Sequence, residues 1–73
     1  MKTYMASIML HPGILDNAGM AVTTALKGLG FKTVEKVRIG KTLTFNAENF
    51  EEAEEIIKTQ VNEVMEFYNI KEI

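Results

Sequence analysis

The stretch Thr3-Tyr4-Met5-Ala6-Ser7-Ile8-Met9-Leu10-His11-Pro12-Gly13-Ile14-Leu15-Asp16 decides the fold of this chain. Tyr4, Ala6, Ile8 and Leu10 alternate with Thr3, Met5, Ser7 and Met9, the period-two pattern of a strand. His11-Pro12-Gly13 ends it, because proline has no ladder donor and glycine tolerates positive φ. Asp16 is then placed to cap a helix whose apolar positions Ala21, Val22, Ala25, Leu26 and Leu29 follow three- and four-residue spacing. Gly30 supplies the stop. The small residues Ala21 and Ala25 predict a close approach of this helix to the sheet. Gly19 and Gly28 each cost of order 1 kcal/mol relative to alanine, so packing, not propensity, must hold the helix.

Working outward, Thr33–Ile39 and Thr42–Ala47 read as a β-hairpin around Gly40-Lys41. An odd loop or bulge would pair Val37 and Ile39 with Phe45 and Leu43 and leave Lys36, Arg38, Thr42, Thr44 and Asn46 on the other face. Asn49-Phe50-Glu51-Glu52 opens a second helix, with Asn49 as cap and acidic residues near the positive end of its dipole. Its apolar face is expected to run through Ala53, Ile56, Ile57, Gln60, Val61, Val64, Met65 and Tyr68. Asn69–Ile73 is a candidate closing strand. The whole is expected to be one α+β domain over residues 1–73, an antiparallel sheet of three or four strands with two helices on one face, in the order β-α-β-β-α(-β).

The chain has 73 residues, no cysteine, 47% apolar and 25% charged residues, and a formal charge of −2. A core of this size rarely supplies more than about 3–5 kcal/mol, and without a disulfide or metal staple the remaining route to stability is a partner. Met5 and Met9, on the second face of the first strand, are candidates for contact with another copy of the chain. A charge near zero argues against nucleic acid, since phosphate neutralisation needs a basic excess. No apolar run approaches the ~18 residues needed to cross a bilayer, and Met1–Leu10 lacks the apolar centre of a signal peptide, so a cytoplasmic protein is expected.

Catalytic chemistry is thinly represented. There is no thiol, and the one histidine, His11, sits in a turn beside Pro12-Gly13, where a solvated residue is the simpler reading than a general base. The acidic residues cluster at the opening of the second helix and offer no metal-ligand spacing. Gly40-Lys41-Thr42 matches the end of a phosphate-binding loop, but Glu35 stands where its first glycine is required. A binding module or a subunit of a larger assembly is therefore expected. Arg38 and Lys41, which no turn or core role explains, are the candidate partner contacts, with His11 beside them.

Leu10-His11-Pro12-Gly13-Ile14-Leu15-Asp16, Gly19, Ala21-Val22, Ala25-Leu26, Leu29-Gly30, Val37-Arg38-Ile39-Gly40-Lys41 and Glu51-Glu52-Ala53 together resemble the PurS family, the small subunit of phosphoribosylformylglycinamidine synthase. The sequence departs from the family pattern at His11-Pro12, at Asn17-Ala18, and after Phe67, where Asn69, Ile70 and Glu72 only echo the family's C-terminal stretch. The resemblance implies a non-catalytic subunit of a purine-biosynthesis enzyme that forms a homodimer or higher homo-oligomer. Such a subunit bridges a glutaminase subunit, PurQ, and a synthetase subunit, PurL, and helps ammonia pass between them. It implies no cofactor on this chain; ATP, Mg and glutamine are used by the complex.

Two rivals stand beside it. A regulatory domain of the ACT type shares the element order and a Pro-Gly turn before the first helix, but offers no counterpart to Val37-Arg38-Ile39-Gly40-Lys41. A ferredoxin-like nucleic-acid binder needs exposed sheet aromatics and a basic excess.

Overall fold

The computed structural model describes all of residues 1–73 and contains five elements: β1 (Lys2–Leu10), α1 (Asn17–Gly28), β2 (Gly40–Ala47), α2 (Phe50–Lys58) and β3 (Glu66–Glu72). The sheet order is β2-β1-β3 with both pairings antiparallel. β1 is central because it carries the longest alternating apolar face and has a partner along each edge. Tyr4, Ala6 and Ile8 are fully buried and meet Phe45, Leu43 and Lys41 of β2 across one edge and Glu72, Ile70 and Tyr68 of β3 across the other.

α2 closes that face. Its Ala53 and Ile57 are buried against Tyr4, Ala6, Ile8 and Ala47, while Leu43, Phe45, Val61, Tyr68 and Ile70 pack around them. The Tyr4 ring lies 6.2 Å from Phe45 and 6.2 Å edge-on from Phe50, a spacing at which aromatic pairs attract. The helix opens as expected, with Asn49 Oδ1 accepting the Glu52 N–H at 2.8 Å and Glu52 Oε1 accepting the Glu48 N–H at 3.2 Å.

The structure corrects the sequence reading at four places. The hairpin does not form. Gly40–Ala47 pairs with β1 in place of residues 33–39, which belong to no strand. Side chains take the donors of that segment: the Val37 N–H goes to Thr23 Oγ1 at 3.1 Å and the Ile39 N–H to Asp16 Oδ2 at 2.8 Å. Alternation survives the change of partner, so Leu43 and Phe45 still face the core, with Thr42, Thr44 and Asn46 opposite Ser7, Met5 and Thr3 on the other face.

α2 also stops at Lys58, not near Tyr68. Thr59 donates its hydroxyl to the Ile56 carbonyl at 2.6 Å, the Gln60 N–H closes on Ile57, and Asn62 and Glu66 exchange hydrogen bonds that build a turn. Val61 and Tyr68 reach the core from that turn and from β3; Val64, placed on the helical stripe by spacing alone, is 85% exposed. The closing strand forms and is longer than Asn69–Ile73, beginning at Glu66. Its pairing with β1 continues past both ends, with the His11 N–H bonded to Met65 O and the Ile73 N–H to Thr3 O.

The fourth correction concerns α1. Its cap and stop are as expected, with Asp16 accepting the Gly19 N–H and Gly30 at φ 104°, but Ala21 and Ala25 are exposed and only α2 packs extensively on the sheet. α1 instead lies against residues 34–39 as an arm. The radius of gyration, 15.3 Å, exceeds the about 11 Å of a compact chain this long. The accessible surface of 5295 Å² similarly exceeds the about 4,500 Å² expected for its mass.

Candidate partner-contact surfaces

Asp16 joins the arm to the rest of the molecule. It is 5% exposed, and its two oxygens accept from backbone groups far apart in sequence, Oδ1 from Gly19 N–H and Oδ2 from Ile39 N–H, each at 2.8 Å. The Ile39 N–H, then that of Gly19, hold its carboxyl below the usual carboxylate range; burial opposes them, and the Arg38 guanidinium and the Ala18 N–H add to the lowering.

Arg38 has a structural role that sequence reasoning missed. Its Nη2 donates to the carbonyls of His11 and Ile14, both at 3.0 Å, and its Nε stands 4.0 Å from Asp16 Oδ2. That one nitrogen, bonded to both carbonyls, ties the turn after β1 to the segment before β2. Any partner contact it makes is through the part of the side chain, 32% exposed, that this clamp leaves over.

Lys41 is different. It is exposed, it forms no ion pair, and it sits opposite Ile8 at the rim of a recess of about 300 Å³ lined in part by Leu10, Asp16, Ile39 and Glu66. His11 belongs to neither group. Its carbonyl serves Arg38, but its ring lies 5.5 Å from that of Phe67, which pairs with Met9. His11, Met9, Met5 and Phe67 therefore share the sheet face that α2 does not cover. Met5 and Met9 are half-buried by their strand neighbours, and Met5, Ser7, Asn69 and Lys71 enclose a shallow recess of about 210 Å³ there.

Two features escaped the sequence reading. Leu15, Met20, Leu29 and Phe31 are all more than half exposed along the arm, and of these Leu29 belongs to the stripe expected to meet the sheet. Charge is also divided: residues 1–47 carry six of the eight Lys and Arg and two of the ten Asp and Glu. That division is readable in the sequence, and net charge alone conceals it.

Three comparisons place the chain. Residues 4–72 match the model of the family described as PurS, phosphoribosylformylglycinamidine (FGAM) synthase. A curated relative, phosphoribosylformylglycinamidine synthase subunit PurS of Synechocystis sp., is 44% identical over 46 residues, which are 63% of this chain and 46% of that protein. The matched stretch thus spans a little under half of the relative's length. Among solved structures, Bacillus subtilis PurS superposes with a TM-score of 0.86 at 26% identity, covering 100% of this chain and 99% of that one. A chain from the structure of PurLQS of Thermotoga maritima superposes at 0.69 with 29% identity, covering 100% of both. The family match takes in all three strands and both helices, so that the cap at Asp16, the clamp at Arg38 and the sheet they flank are those of a chain that belongs to the PurS family.

Proposed function

We propose that the chain is the non-catalytic small subunit of phosphoribosylformylglycinamidine synthase in de novo purine biosynthesis. In this reading it sits in the cytoplasm and bridges a PurQ-type glutaminase and a PurL-type synthetase so that ammonia passes between them. ATP, Mg and glutamine are used by the assembly, with none bound by this chain. The observation that carries the reading is the full-length superposition on a chain of the PurLQS structure, together with the family match over residues 4–72. Two uncovered surfaces suit such a bridge: the Met5, Met9 and His11 face for a second copy, and the Lys41 rim for the larger subunits.

Native mass spectrometry of the chain alone, and then mixed with PurL- and PurQ-type subunits plus glutamine and nucleotide, tests this. A homo-oligomer that enters a ternary complex with glutamine-dependent activity is expected. Met5→Lys should yield a folded chain that no longer self-associates. A strict monomer that joins neither subunit overturns the proposal.

A further inference from the structure

We infer that the arm carries a binding site for a phosphate-class dianion, in the recess between α1 and residues 34–37. The recess is about 300 Å³ and is lined by Met20, Thr23, Thr24, Lys27, Lys36 and Val37, room for a phosphate and part of what carries it. Lys27 and Lys36 have no carboxylate within 4.0 Å, the chain's ion pairs being Lys2–Glu72 and Arg38–Asp16. Two lysines without a carboxylate partner line one small concavity, and a dianion bound there would pair with both.

The hydroxyls divide the work. Thr23 is committed, donating to the Gly19 carbonyl at 2.9 Å and accepting the Val37 N–H at 3.1 Å, so it fixes the wall. Thr24 has no protein partner and supplies a neutral donor beside the two cations.

Backbone strain marks the same place. Lys36, at φ 55°, is the one non-glycine residue with positive φ in the molecule. Lysine has none of the local side-chain compensation that lets Asn or Asp adopt that conformation. The Thr23–Val37 hydrogen bond holds the next residue in place, so the seam that builds the recess also keeps Lys36 strained, as expected where position matters more than backbone comfort. Residues 17–39 carry Lys27, Lys32, Lys36 and Arg38 against Glu35, a positive excess that favours anions on the arm.

Two-dimensional NMR of the full chain, titrated at constant ionic strength with inorganic phosphate and in parallel with ribose 5-phosphate, tests the site. Saturable shifts at the amides of Thr24, Lys27, Lys36 and Val37 are expected. Tighter binding of the ester identifies a carried phosphate, and equal binding identifies the free anion; either supports the site. Lys36→Gln should weaken binding at least tenfold, while Lys32→Gln, on the arm outside the recess, should leave it unchanged. Lys36→Asn keeps a residue suited to positive φ and should melt no lower than the parent yet fail to bind. Shifts that do not saturate, or that Lys32→Gln reduces as much as Lys36→Gln, overturn the inference.

Discussion

Gly19→Ala separates two physical forces that act in opposite directions on the same helix. Helix propensity alone favours alanine by about 1 kcal/mol, so an isolated α1 would gain. In the folded chain a Cβ added at Gly19 would overlap the Val37 carbonyl oxygen and stand 3.0 Å from Asp16 Cγ. Regaining ordinary contact needs a displacement of more than about 1 Å, which overpacking data price at about 1–3 kcal/mol. The same displacement stretches the Val37 N–H to Thr23 hydrogen bond beyond use, about 1 kcal/mol more. The net expectation is a loss of about 1–3 kcal/mol, concentrated at the seam between the arm and residues 34–39. Gly28 is the control: it lies in the same helix, nothing stands within 4 Å of its Cβ position, and Gly28→Ala should stabilise by up to about 1 kcal/mol. Amide exchange at Val37 and Ile39, read beside β1 amides and a thermal melt, distinguishes the two. Faster exchange at those amides in Gly19→Ala, with slower or unchanged exchange in Gly28→Ala, is expected. If both variants gain stability alike, close approach is not what requires glycine at position 19.

Further outcomes follow from the same geometry. Ile57→Ala empties the centre of the α2 contact at about 2–5 kcal/mol, comparable with the whole of a small core, so circular dichroism should show a largely unfolded chain on its own, whereas Ile57→Val should only lower the melting temperature. Arg38→Ala should cost about 1 kcal/mol and loosen the His11–Ile14 turn, and Arg38→Lys should restore it only in part, because one ammonium nitrogen cannot bond the two carbonyls and also stand where Nε faces Asp16; Lys41→Ala should leave the melt within about 0.5 kcal/mol while weakening assembly with the larger subunits. The Asp16 carboxyl is lowered in the folded state, so its contribution is complete above the ordinary carboxylate range and is lost as pH falls through its folded value. Acid melts should therefore show a steeper decline for the parent than for Asp16→Asn; parallel curves would remove Asp16 from the account.

Much of the secondary structure was legible, for reasons particular residues make plain. Tyr4, Ala6 and Ile8 bury one face of β1 because alternation is a local property that any sheet partner satisfies. The caps at Asp16 and Asn49 and the stop at Gly30 are contacts within a few residues, so their spacing shows in the sequence. The partner of β2 was not legible. Val37 and Ile39 have the alternation of a strand, and only the folded chain shows their N–H groups taken by Thr23 and Asp16, 14 and 23 residues away. The length of α2 was obscured for a related reason: Val61 and Tyr68 continue a helical period by chance of position while reaching the core from a turn and from β3.

The candidate contact residues divided in the same way. Lys41 is free, as the absence of a local role suggested, but Arg38 is held by two carbonyls at separations of 27 and 24 residues that no pattern encodes. His11 turned out to share a face with Met5 and Met9 because β3 brings Phe67 beside it.

By itself the sequence determined the element types, their caps, the apolar face of the central strand and the family, since these rest on local periodicity and on residues at fixed spacing. Tertiary structure alone decided which strand pairs with which, that α1 stands away from the sheet as a basic, apolar-sided arm, and that Asp16 and Arg38 are its clasp. Those outcomes depend on donors and acceptors distant along the chain competing for one another, and the winner is set by geometry that exists only once the chain has folded.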